Sequence, residues 1–163
     1  MLDWLLGNPL AVGSTAPAFS LPDEKGRLVS LASLRGKPVV LVFYPGDDTT
    51  ICTKQLCEIR DDWSAFQRLG AAVYGINGQG ASAHGRFSAK YRFPFPLLVD
   101  SGWAVSQAYR AGWGVVRRTV YVIGPDGRIA VVDWQTSNFL GSGMDVAYFL
   151  GGAFPREFRQ QLA

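Results

Sequence analysis

Cysteine is scarce in this chain, with two among 163 residues, and histidine occurs once. Two cysteines cannot staple a secreted disulfide scaffold, so they are expected to be catalytic, metal-binding or simply buried. Charge is sparse as well: 18% of residues are Asp, Glu, Lys or Arg, against 48% hydrophobic. A disordered chain needs the opposite balance, and a coiled coil needs denser charge. The nineteen glycines follow no triplet period, which excludes a collagen-like chain. No internal repeat or low-complexity linker interrupts the sequence. The longest apolar run, Pro38 to Pro45, falls far short of the ~20 residues that cross a bilayer. The start, Met1-Leu2-Asp3-Trp4-Leu5-Leu6, carries an acid where a secretory leader has Lys or Arg. No membrane association and a cytoplasmic location are therefore expected, with Leu2, Trp4 and Leu5 on a short packing turn.

Net charge is +3 with a pI near 9.0. Nucleic-acid binders cluster their basic residues, whereas Arg117-Arg118 is the one adjacent basic pair here. No nucleic-acid partner is expected. The length suits one domain over 1–163, with a core that needs no staples.

What is present has a readable order. Phe19–Leu21 and Leu28–Leu31 flank Asp23-Glu24-Lys25-Gly26, a hairpin signal. Val39-Val40-Leu41-Val42-Phe43-Tyr44 is continuous and β-rich, the pattern of a strand covered on both faces, and Pro45 is expected to end it. Leu56, Ile59, Trp63, Phe66 and Leu69 recur at helical steps, which predicts one helix from about Thr50 to Leu69, stopped by Gly70. A strand over 71–76, a helix over 81–91, a short strand at Leu97-Leu98-Val99 and a short helix from Trp103 to Tyr109 follow. Thr119–Ile123 and Arg128–Asp133 are joined by Gly124-Pro125-Asp126-Gly127, a second hairpin, and a tail from about Asp145 reads as helix. The alternation predicts an α/β fold with a central mixed sheet, helices on both faces and an N-terminal β-hairpin, most simply a thioredoxin-like fold.

The segment richest in chemistry is Phe43-Tyr44-Pro45-Gly46-Asp47-Asp48-Thr49-Thr50-Ile51-Cys52-Thr53. A buried strand ends, a polar loop follows, and a cysteine falls in the first turn of a helix. Backbone N–H groups and the helix dipole favour an anion there, hence a thiolate. Free cysteine is also a common small core residue, but the end of a central strand is where α/β proteins place their sites.

Pro45-x-x-x-Thr49-x-x-Cys52 resembles the active-site pattern of the peroxiredoxins. Cys57 stands five residues on, before Arg60-Asp61, a spacing similar to the Q-type, bacterioferritin-comigratory branch. Val12-Gly13-x-x-Ala16-Pro17-x-Phe19-x-Leu21, Phe93-Pro94-Phe95-Pro96-Leu97-Leu98-x-Asp100 and Arg118-Thr119-x-Tyr121-Val122-Ile123 resemble further blocks of that family, in family order. Two features depart from it: Thr50-Ile51 stands where the branch has Pro-Gly, and Asn77-Gly78-Gln79-Gly80 replaces a polar Ser/Asp run.

The resemblance implies a thiol peroxidase for hydrogen peroxide and alkyl hydroperoxides, with no metal or organic cofactor. Cys52 would attack the peroxide and become a sulfenic acid. Thr49 would hold thiolate and peroxide by its hydroxyl, and it also suits a helix N-cap. Pro45 would shield the thiolate, beyond ending a strand. Arg118, rather than its neighbour Arg117, would place a fixed positive charge at the reacting atoms. Cys57 would resolve the sulfenic acid to an intramolecular disulfide, reopened by thioredoxin or a similar dithiol; the alternative for Cys57 is a core cysteine beside Leu56. Residues five apart on a helix have Cα atoms about 8.6 Å apart. A disulfide spans at most ~7 Å. Resolution on this route requires the helix start to unwind.

Other assignments fit less well. His84 with two cysteines cannot complete a structural zinc site, and it reads as an exposed helical histidine. Gly75-Ile76-Asn77-Gly78-Gln79-Gly80 lacks the spacing of a phosphate loop. Trp103, Trp113 and Trp134 read as core or rim aromatics. A thioredoxin-like disulfide reductase would carry C-x-x-C, and a redox sensor on the same fold differs from a peroxidase only in turnover. A monomer or weak homodimer is expected, the latter through the apolar N-terminus and Phe149, Phe154 and Phe158.

Overall fold

A computed structural model describes residues 8–133 of the chain. Its organising element is strand β3, Val39–Phe43, all five residues of which are buried. Two hairpin strands precede it, β1 (Ser20–Pro22) and β2 (Leu28–Ser30), paired antiparallel with Leu21 opposite Val29. Strand β4 (Ala72–Asn77) lies parallel to β3, with Val39 opposite Ala72 and Phe43 opposite Ile76. Strand β5 (Leu97–Val99) extends the sheet parallel to β4. Beyond a small ribbon of β6 (Gly112–Trp113) and β7 (Val115–Val116), strand β8 (Thr119–Ile123) runs antiparallel along the other side of β3. Strand β9 (Ile129–Asp133) closes the order β5-β4-β3-β8-β9. This is the mixed sheet and N-terminal hairpin that the alternation of elements predicts.

Both faces of β3 are covered, which explains its unbroken apolar run. Val40, Val42 and Tyr44 pack on one side against Cys52, Leu56 and Ile59 of helix α1 (Thr50–Asp61). Phe66 of α2 (Trp63–Arg68) and Phe87 of α3 (Ala81–Tyr91) complete that layer. Val39, Leu41 and Phe43 point the other way, onto Phe19, Leu34, Tyr109 and Val105 of α4 (Ala104–Ala108). Each fully buried Leu, Ile or Phe of these layers contributes about 1.5–3 kcal/mol.

The structure corrects the expected elements in four places. The helix from Thr50 does not run to Leu69: Asp62, at φ −96° and ψ 17°, separates α1 from α2. The break leaves Ile59, Trp63 and Phe66 on the core side, so the apolar spacing passes through it unchanged. Strand β3 stops at Phe43, although the Tyr44 amide still bonds the Ile76 carbonyl at 3.3 Å. Trp103 does not open the α-helix; at φ 59° it closes a 3₁₀ turn (Ser101–Trp103) and caps α4. His84, expected at the surface of α3, is fully buried. It shares the inward stripe of that helix with Phe87, three residues on. The expected tail helix, the N-terminal turn and Trp134 lie outside the described residues.

Candidate active site

The loop between β3 and α1 leaves the sheet at its centre. Thr49, in extended conformation (φ −83°, ψ 151°), is the residue before the helix, and Cys52 is the third residue within it. The cap is made by backbone geometry alone: the Thr49 hydroxyl donates to the Gly46 carbonyl at 3.1 Å, closing the loop on itself. Cys52 is buried, whereas Pro45, Thr49 and Ile51 are exposed around it. No acidic residue occupies the first helical turn, so nothing there opposes an anion at Cys52.

Cys57 lies on the same unbroken helix, and both thiols are free. Cys57 is partly buried, and its thiol is pushed up in pKa, first by burial; Asp61 and Glu58 add to this and Arg60 counters it. Gln55, one turn from Cys52 on the same face, is buried with neither amide atom hydrogen-bonded.

Antiparallel pairing sets the place of the arginine. Phe43 is opposite Thr119, so Arg118 stands just beyond the sheet at the end from which the loop departs. Its Nη1 is buried and has no hydrogen-bond partner. Arg117 is engaged elsewhere: its Nη2 donates to the Arg110 carbonyl at 3.1 Å and its amide to the Ala111 carbonyl at 2.6 Å. A guanidinium with a buried unfilled donor is primed for an anion. Of the pair, Arg118 has that property.

Sequence reasoning missed the supports of the loop. The Asp47 carboxylate accepts from Tyr44 Oη at 2.6 Å and Asn77 Nδ2 at 3.1 Å, and its Oδ2 lies 2.6 Å from His84 Nδ1. The Asp47 amide donates to Gln79 Oε1 at 2.6 Å, and the Gln79 amide donates to Asn77 Oδ1 at 2.8 Å. These bonds account for Asn77-Gly78-Gln79-Gly80: it clamps the loop rather than cradling phosphate. Asp48, at φ 58°, is held outside by Lys90 Nζ at 2.8 Å and Tyr91 Oη at 2.9 Å. The Lys90 and Tyr91 hydrogen bonds lower the Asp48 carboxyl below its usual range. The spacing of His84 from Phe87 was the available signal, since it places the histidine on the core side. For Asp47 no local pattern distinguishes a buried acid from the exposed one beside it.

The AhpC/TSA family profile matches residues 12–132. The chain belongs to the AhpC/TSA family. Within it, the chloroplastic peroxiredoxin Q of Sedum lineare is 44% identical over 128 residues, which cover 74% of this chain and 67% of that protein. The corresponding protein of Oryza sativa subsp. japonica is 50% identical over 103 residues, 63% of this chain and 46% of its own length. The chain thus spans about half the length of the rice relative. A putative peroxiredoxin bcp of Coxiella burnetii is 40% identical over 132 residues, covering 76% of this chain and 87% of that one. Among solved structures, peroxidoxin BcpB of Mycobacterium tuberculosis superposes with a TM-score of 0.81 at 31% identity, covering 90% of this chain and 99% of that one. A cysteine variant of peroxiredoxin Q from Xylella fastidiosa reaches 0.83 at 24% identity, over 90% and 98% of the two chains, a likeness of fold. These relatives place the chain in the Q-type branch of the AhpC/TSA family, in agreement with the blocks read from its sequence.

Proposed function

We propose that this AhpC/TSA family member is a cysteine-based thiol peroxidase that reduces hydrogen peroxide and alkyl hydroperoxides. The observation that carries the reading is the placement of Cys52, buried in the first turn of α1 at the end of the family's Pro45-x-x-x-Thr49-x-x-Cys52 pattern. The Cys52 thiolate attacks one peroxide oxygen. The O–O bond breaks, sulfur is oxidised to S–OH, and the other oxygen leaves with the electron pair to become an alcohol or water. Arg118 stabilises the thiolate and the departing oxygen with the donor that the protein leaves unfilled. Thr49 turns its hydroxyl from the Gly46 carbonyl to the bound peroxide, and Pro45 screens the mouth of the site.

Cys57 then displaces hydroxide from the sulfenic sulfur, which releases water and forms the Cys52–Cys57 disulfide. A thioredoxin-type dithiol reduces that bond and is itself oxidised. The test is turnover of hydrogen peroxide with thioredoxin and its reductase. Cys52→Ser is expected to fall below a few per cent of the parent rate. Activity well above that level would overturn the assignment.

A further inference from the structure

This inference rests on the peroxidase reading above and concerns a residue outside its chemistry. His84 is fully buried, and both of its ring nitrogens face oxygen: Nε2 lies 2.9 Å from the Leu98 carbonyl and Nδ1 lies 2.6 Å from Asp47 Oδ2. A carbonyl oxygen only accepts, so Nε2 carries a hydrogen. Two lone pairs would repel at the second contact, so a proton lies there too. The other oxygen of Asp47 takes two donors, Tyr44 Oη and Asn77 Nδ2, as an ionised carboxylate does. With the shared proton on His84, the pair is imidazolium and carboxylate, buried to 0% and 3% side-chain exposure, with no net charge.

We infer that His84 is a positioning residue for peroxide reduction: its second proton neutralises Asp47, which fixes the loop before Cys52 and spares the thiolate an opposing buried charge. The electrostatic path is short. Tyr44 joins the two groups: its hydroxyl donates to Asp47 at 2.6 Å, and its side chain is buried in the same core cluster as Cys52. The groups facing the pair are Tyr44 from the loop after β3, Asn77 from β4 and the Leu98 carbonyl from β5. Glu24, from the turn of the β1–β2 hairpin, also acts on Tyr44. Asp48 in the same loop is compensated separately by Lys90. None of these supplies a second cation to Asp47, so loss of the imidazolium leaves a bare buried carboxylate five residues before Cys52.

The test uses the full chain. His84 is the single histidine, so ¹⁵N-labelled protein gives one ring spectrum. At neutral pH both ring nitrogens are expected at protonated shifts, and one unprotonated nitrogen would overturn the inference. In a Cys57→Ser background, His84→Gln is expected to move the pH profile of Cys52 alkylation by iodoacetamide upward. The alkylation rate at pH 7 and the rate of peroxide reduction should fall about tenfold, the order of effect of one uncompensated buried charge. Asp47→Asn combined with His84→Gln removes both charges and should recover most of the alkylation rate. A folded His84→Gln variant with an unchanged profile, or a double variant as impaired as the single, would refute the inference. The ring spectrum of the parent protein decides the question should His84→Gln fail to fold. Neither the ring spectrum nor the alkylation profile involves peroxide, so they judge the pair separately from the peroxidase reading.

Discussion

At the scale of single residues, the account separates two adjacent arginines by what each already bonds. Arg117 is engaged by the Arg110 carbonyl, while Arg118 keeps a buried donor unfilled. Arg118→Ala is expected to slow the first oxidation of Cys52 by about 100-fold, the usual cost of one preorganised transition-state donor. Arg117→Ala should change it less than threefold. Stopped-flow mixing with hydrogen peroxide measures both, and equal rate constants for the two variants would contradict the assignment. Gly75 offers a second test. A Cβ there would lie 2.7 Å from a Leu97 methyl and 3.0 Å from the Tyr44 ring. Gly75→Ala should cost about 1–3 kcal/mol, as overpacking does, measured by denaturant unfolding. It should also slow peroxide attack, because the displaced ring is the one that bonds Asp47. Cys52, Thr49, Pro45 and Arg118 could be picked out as candidates because each sits in a short block of fixed order. Asp47 and His84 were not, because their meaning lies in one contact between residues 37 apart.

At the scale of elements, the proposed Cys52–Cys57 disulfide requires α1 to change shape. Cys52 and Cys57 occupy one intact helix, on which about 8.6 Å separates their Cα atoms. That exceeds the ~7 Å a disulfide tolerates. The ends of the segment are tied to one place, the last turn of α3: Asp48 bonds Lys90 and Tyr91, and Arg60 donates to the Tyr91 carbonyl at 2.6 Å. Unwinding would thus be confined between these posts. Hydrogen exchange should show residues 50–57 losing protection on oxidation while 59–68 keep theirs; protection lost throughout, or nowhere, would contradict it. Burial raises the Cys57 thiol, so this residue is a weak nucleophile while α1 is intact. Its alkylation in the reduced protein should set in at higher pH than that of an ordinary thiol. Cys57→Ser should leave the first oxidation intact and let the sulfenic acid persist toward sulfinic acid, seen by mass spectrometry. The sequence marked the start of this helix through its cap and loop. It hid the break at Asp62, because the apolar period of Ile59, Trp63 and Phe66 carries across it.

At the scale of the whole molecule, the sheet was readable from the pattern and order of its segments. The run from Val39 to Phe43 has no polar residue, so it could only be a strand covered on both faces. The order of hairpin, strand, helix and strand around it left one common topology. The β6–β7 ribbon was not readable, since Gly112, Trp113, Val115 and Val116 form strands too short for any period. The core also holds Tyr44, Tyr74, Tyr109 and Tyr121, each raised in pKa by burial above all. These phenols ionise in the unfolded chain from about pH 10 but stay protonated when folded, so the unfolded chain binds fewer protons there. Their contribution is complete below that pH and is lost as pH rises through it. Through these phenols, thermal melts should fall more steeply with pH above about pH 10 than below it; a melting temperature flat from pH 9 to 11 would contradict this.

The central claim is that one peroxide oxidises Cys52 and that Cys57 completes the same event within one chain. The direct measurement is stopped-flow titration of the reduced protein with hydrogen peroxide from below to above one equivalent, following tryptophan fluorescence and then counting free thiols. The account predicts a fast fluorescence change that saturates at one equivalent, with two thiols lost per peroxide and a Cys52–Cys57 bond in a monomeric peptide map. A reaction as slow as that of a free cysteine, or a disulfide joining two chains, would contradict it.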